Sequence, residues 1–92
     1  MKTLEEIKEY IEEQGYDSVV VFDNPAYCTA FIGISSDGRA VYDYEKMVQS
    51  LMEEDGMEDE TDAIEFIDYN TIRSLPFLYG EAPIVVYPVR ED

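Results

Sequence analysis

The sequence predicts an α+β fold, and three observations carry that expectation. Apolar residues recur at helical spacing in three segments, β-branched and aromatic runs stand apart from them, and Gly15, Asn24-Pro25, Asp37-Gly38 and Gly56 punctuate the boundaries. The chain has 92 residues, enough for one core, and no repeat, linker or low-complexity tract divides it, so residues 1–92 read as a single domain.

A helix comes first. Thr3 and Glu6 have the spacing of a capping box, Leu4, Ile7 and Ile11 share a face, and Gly15 suits a left-handed C-terminal turn, so the helix is expected from about Leu4 to Gln14. "SVVVF" (Ser18 to Phe22) and "CTAFIGI" (Cys28 to Ile34) are β-branched runs that read as strands. Between them lies "FDNPAY", which has the form of an Asn-Pro-x-Tyr sorting signal. Such a signal works in an unfolded tail beside a membrane span, and no apolar run here approaches the roughly 18 residues a span needs. Asn24 and Pro25 instead suit the first two positions of a type I turn.

Asp37-Gly38 is a strong hairpin signal, and it leads into a third strand at about Arg39 to Tyr42. Asp43 then caps a second helix with Met47, Val48, Leu51 and Met52 as its apolar stripe, stopping at Gly56. A third helix, about Asp59 to Tyr69, turns Ala63, Ile64 and Ile67 inward, with Asn70 as a left-handed stop and Thr71 capping a short turn broken by Pro76. "PIVVYPV" is a final strand whose flanking prolines favour a sheet edge. The expected order is α-β-β-β-α-α-β: a two-layer sandwich with a four-stranded, mostly antiparallel sheet, helices on one face, and the last strand beside the first in the order 3-2-1-4.

Composition narrows the function classes. Hydrophobic residues make up 46% of the chain, too many for a disordered one, although the net charge is -16. With 22 acidic residues against 6 basic ones, direct binding to nucleic acid is disfavoured and so is an anionic membrane surface, whereas basic protein surfaces are favoured partners. The acidic N-terminus lacks the form of a secretory signal, and a single cysteine, Cys28, makes no internal disulfide; both fit a cytoplasmic protein.

Catalytic chemistry finds little support. The chain has no histidine, which removes imidazole general bases, the triads built on them and most zinc sites. Cys28 lacks that partner and falls in an apolar run, where a thiol packs as a small hydrophobe. No glycine-rich phosphate loop is present, and a chain this short has little room for the cleft that paired carboxylates require. "LMEEDGMEDETD" aligns Gly56 with the glycine of a calcium loop, yet Leu51 occupies the first ligand position and Asp62 stands where the bidentate glutamate belongs. The reading is therefore a non-enzymatic protein with no cofactor and no tight metal site.

The carboxylates do have density. Between Asp43 and Asp68 lie 11 of the 22 acids against Lys46 alone. Two helices of a dozen residues are each about 18 Å long, and about 18 Å of B-DNA carries roughly ten phosphate charges. Glu53, Glu54, Asp55, Glu58, Asp59, Glu60, Asp62, Glu65 and Asp68 are accordingly the candidate partner-binding residues, presented as a DNA-mimicking surface to a basic groove. A solvated acidic face that only confers solubility has the same composition, and both readings stand at this point.

The segment "AVYDYEKMVQSLMEEDGMEDETDAIEFIDYNTIRSLPF", with the "FDNPAY" turn before it, resembles a group of small uncharacterised acidic proteins of phages and mobile elements of Gram-positive gut bacteria. "AIEFIDYNTIRSLP" is its most distinctive part. The resemblance implies a setting in which such proteins act as inhibitors of host defence, anti-CRISPR proteins among them; it carries over no site residues. An alternative is a homodimer or interaction module. Tyr44, Tyr69 and Tyr79, with Phe77 and Leu78, read either as an exposed aromatic patch or as the closed end of the core, and Ile84 to Tyr87 as an edge strand that pairs with its copy.

Overall fold

In the computed structural model, which describes residues 3–16, 18–73, 75 and 82–89, helix α1 spans Leu4–Glu13. The Glu6 amide donates to Thr3 Oγ1 at 3.1 Å, as the capping spacing predicts. At the far end the Tyr16 amide reaches the Ile11 carbonyl and the Gly15 amide the Glu12 carbonyl, the paired bonds of a Schellman turn. Ile7 and Ile11 are buried and anchor α1 to the core.

Two expected strands give way to other structure, and the residues responsible are identifiable. Pro25–Ala30 forms a 3-10 helix, so the first part of "CTAFIGI" is helical and only Phe31–Ile34 remains as strand β1. Asn24 Oδ1 accepts the Ala26 amide at 3.0 Å and Pro25 occupies the first turn with its preset φ. The Tyr27 amide donates to the Asn24 carbonyl, so the local turn chemistry of "FDNPAY" is as expected; it starts a helix instead of joining two strands. Six residues is long for a 3-10 segment, and tertiary contacts support it: Ala26, Cys28 and Ala30 are small enough to pack closely, and Thr29 hydrogen-bonds Ser50 of the following helix.

Ser18 to Phe22 is not a strand. The Phe22 amide donates to the Tyr42 hydroxyl at 3.2 Å, a side-chain acceptor in place of a neighbouring strand. The Phe22 ring lies against Tyr42 with centroids 4.6 Å apart, and Phe31 meets Tyr42 edge-on at 5.7 Å. Tyr42 is 1% exposed, and its burial pushes the phenol up to about 12 despite the hydrogen bond from Phe22.

Among the described residues the sheet has three strands, not four, and is mixed: β1, then β2 (Ala40–Asp43), then β3 (Ile84–Val86), in that spatial order. β1 and β2 form the hairpin that Asp37-Gly38 predicts, with Gly38 at φ +82° and the Ser35 amide donating to the Arg39 carbonyl at 2.7 Å. A bulge between Phe31 and Gly33 leaves Ile32 unpaired and 51% exposed. β3 runs parallel to β2, pairing Ile84 with Val41 and Val86 with Asp43. The expected position beside the first strand does not exist, because residues 18–22 form none; β2 holds the free edge that β3 occupies. The chain order is thus α, 3-10, β, β, α, α, β.

Helix α2 (Tyr44–Glu54) starts at Asp43, whose Oδ1 accepts the Lys46 amide, and α3 (Glu60–Asn70) starts at Asp59, whose Oδ1 accepts the Thr61 amide. Met47, Val48 and Leu51 of α2 and Ala63 and Ile67 of α3 are buried in one cluster with α1, the 3-10 helix and the sheet. Asn70 is not the left-handed stop: it lies inside α3, its Nδ2 donating to the Phe66 carbonyl, and the cap is Thr71 in right-handed conformation. Thr71 is buried and bonds the Tyr27 hydroxyl at 3.1 Å, so the helix end is held by the 3-10 segment.

Candidate functional site

The acidic surface begins where α2 ends. Gly56, at φ +71°, lets the chain leave the helix, and the Met57 amide folds back to the Leu51 carbonyl at 3.3 Å. Leu51 is fully buried, so the first position of the calcium-loop alignment belongs to the core. Glu53 and Glu54 stand in the last turn of α2, Asp55 caps it, Glu58 lies in the connection, and Asp59 caps α3, followed by Glu60, Asp62, Glu65 and Asp68.

All nine candidate carboxylate residues are exposed, and among the described residues none of them makes an ion pair. They meet different surroundings, however. Glu53 and Glu54 line a shallow depression with Thr29, Lys46 and Ser50. Glu60 lines a pocket with Tyr44, Ile64 and Tyr87. Asp62, Glu65 and Asp68 share a third groove, with Met57, Phe66, Tyr69 and Ile72. As the sequence predicts, Asp62 and Glu65 face solvent while Ile67 is buried and Ile64 is packed against the core. The nine residues therefore form a band over the α2–α3 corner and along α3, not one flat face.

Their placement agrees with helix electrostatics at the start of α3, where Asp59 caps and Glu60 and Asp62 stand in the first turn, and opposes it elsewhere. No basic residue stands in the last turn of α2, where the carbonyl end of the helix favours cations, yet Glu53 and Glu54 are there. Asp62, Glu65 and Asp68 recur at a spacing of three, which brings like charges together along α3. The same acidic habit marks the end of α1 at Glu12 and Glu13, so it belongs to the whole molecule.

Tyrosines sharpen two parts of the band. Tyr44 packs against Tyr87 with centroids 4.6 Å apart and the rings tilted by 43°, and donates its hydroxyl to Asp68 at 2.9 Å. Burial, and then the Asp68 carboxylate, hold the Tyr44 phenol well above its ordinary range. Tyr69 is 70% exposed and carries the Arg73 guanidinium 4.9 Å above its ring. Tyr44 and Tyr69 thus belong to separate grooves and do not form the joint aromatic patch that their composition suggests; Pro76, Phe77, Leu78 and Tyr79 lie outside the described residues. Sequence reasoning missed Tyr87 as the partner of Tyr44, a contact between residues far apart in the chain. The Tyr69 to Arg73 contact had a signal, the spacing of four across a helix end.

Cys28 is 1% exposed, and burial, followed by the Glu54 carboxylate, pushes its thiol above its ordinary range. A thiol so placed stays protonated and serves the packing of the 3-10 helix. Among the described residues, no helix is long and apolar enough to cross a membrane. Comparison with protein-family models, with curated proteins and with solved structures gives no match.

Proposed function

We propose that this chain is a non-enzymatic binding protein whose acidic band over α2 and α3 docks on the basic surface of a nucleic-acid-handling protein. By occupying the groove that normally holds nucleic acid it inhibits that protein, a CRISPR effector being one example consistent with the resemblance read from the sequence. One observation carries the proposal: nine carboxylate residues stand exposed over the α2–α3 corner and along α3, and among the described residues no ion pair neutralises them. A basic groove desolvates and neutralises such groups together, and the counterions both surfaces release favour association at low salt.

Affinity capture from the native host, followed by competition with duplex DNA, tests the proposal. Charge mimicry requires that the captured protein bind DNA, that DNA and this chain exclude one another, and that the complex weaken steeply with salt. A partner that holds both at once would sink it.

A second reading has its own observation. Among the described residues β3 is an edge of the sheet, and Tyr87 and Val89 beside it are 64% and 86% exposed. An edge so flanked suits pairing with a second copy, in which case the acidic band serves only solubility. Light scattering on the purified chain separates the two: a tight dimer that Val85→Pro disrupts favours this second reading, and a monomer the first.

A further inference from the structure

The groove on the α3 side joins an apolar floor to a row of three carboxylates, Asp62, Glu65 and Asp68, whereas the Glu60 pocket, with Val48, Met52 and Ile64 in its lining, has Glu45 and Glu60. The α3 groove has a volume of about 840 Å³ and is shallow and broadly open to solvent. Met57, Phe66 and Ile72 each pack one side on the core and turn the other to this groove, and Tyr69 lies 70% exposed beside them. The sequence generates two parallel rows. Asp62, Glu65 and Asp68 form the first; Phe66 and Tyr69, each four residues later and therefore one turn on, form the second, and Ile72, just past the end of α3, lines the same groove. α3 consequently has apolar residues on two sides, Ala63 and Ile67 toward the core and Phe66 and Tyr69 toward the groove.

We infer that this groove is the docking site for a basic amphipathic segment of a protein partner, a helix that sets apolar side chains on Phe66, Tyr69 and Ile72 and lysines or arginines against Asp62, Glu65 and Asp68. The inference rests on the proposal that these carboxylates face a partner, and it adds an apolar contact that charge mimicry alone does not need. Charge selects the occupant: three carboxylates against the single guanidinium of Arg73 repel an anionic ligand and attract a cationic one. Arg73 over Tyr69 also shows how an aromatic face here accepts a guanidinium. A second copy is the wrong occupant, since it brings the same carboxylates and a net charge of -16 against an identical rim. The two-row pattern is the one by which amphipathic helices are received in grooves, with anchors at a spacing of three or four.

The test uses two synthetic, fluorescently labelled 18-residue peptides of identical leucine and lysine composition, one with leucines at helical spacing and one scrambled. Fluorescence anisotropy at near-physiological salt reads their binding to the full chain. The helical peptide is expected to bind at least tenfold tighter than the scrambled one. Tyr69→Ala, at an exposed position, should weaken it by about tenfold, the scale of an aromatic anchor, with the melting temperature unchanged. Glu12→Lys with Glu13→Lys, exposed on α1 and outside the acidic band, should leave the preference for the helical over the scrambled peptide unaltered. Equal affinity for both peptides overturns the inference while leaving charge mimicry intact, and so does a Tyr69→Ala variant that binds as the wild type does. Absence of binding by either peptide overturns it too, as does a self-association of the free chain that Tyr69→Ala abolishes. Failure of the parent proposal reads differently: the helical peptide binds as described, yet duplex DNA never competes for the captured host protein.

Discussion

Reversing Glu53, Glu54, Asp62 and Glu65 to lysine tests the acidic band where the fold can bear it, because all four side chains are exposed. Each reversal moves the charge by two, so the net charge goes from -16 to -8. Glu53 and Glu54 face the carbonyl end of α2, where a cation is favoured by about 0.3 to 1 kcal/mol and an anion opposed to a similar degree, so these two changes stabilise. Asp62 stands in the first turn of α3, and reversing it loses a comparable amount. Lysine at 65 sits three residues from Asp68 and gains about 0.2 to 0.5 kcal/mol from that pair. The caps at Asp43 and Asp59 are untouched. With one such increment for each reversal the sum is about 0.5 to 1.5 kcal/mol of added stability, or a melting temperature raised by roughly 2 to 12 °C for a domain of this size. Circular dichroism melts measure that shift, and titration of the captured partner across salt concentrations measures binding. The variant is expected to melt at or above the wild-type temperature and to lose the salt-sensitive complex. A variant that is folded and retains wild-type affinity and salt dependence refutes the mimic, and a melting temperature far below that of the wild type refutes the helix electrostatics.

Other positions probe the scaffold. Leu51→Ala empties a fully buried site and should cost about 2 to 5 kcal/mol by urea denaturation, leaving partner binding intact under conditions where the chain remains folded. Gly56→Ala introduces a Cβ that meets nothing within 4 Å, so its expected cost of about 1 kcal/mol is purely the left-handed backbone; a neutral result would mean the α2 stop does not depend on that conformation. Tyr42, raised by burial from 10.0 to about 12, gives stability that is complete below pH 10 and lost as pH rises toward 12, because the folded state holds its proton over that interval and the unfolded chain does not. The loss should be on the order of 2 kcal/mol, and Tyr42→Phe should flatten that part of the profile.

The sequence by itself determined everything that depends on neighbours within a turn or two. Thr3 and Asp43 cap helices, Asn24 and Pro25 open a tight turn, and Asp37-Gly38 closes a hairpin, because a side-chain oxygen or a permissive backbone acts over two to four residues. The exposure of the nine acids was equally legible, since burying an unpaired carboxylate is too costly for any fold to choose it. Strand pairing is another matter. "SVVVF" has strand composition, but whether it joins a sheet depends on what its amides meet, and the Phe22 amide meets the hydroxyl of Tyr42, twenty residues away. Residues 28–30 were drawn into the 3-10 helix by their fit against Ser50, and β3 came to lie beside β2 because that edge was the one left open. Tertiary structure alone also decided that Tyr44 packs on Tyr87 while Tyr69 lies elsewhere, and that two stretches of the acidic band border apolar floors. Such contacts join residues far apart in the chain, and neither propensity nor periodicity carries information over that distance.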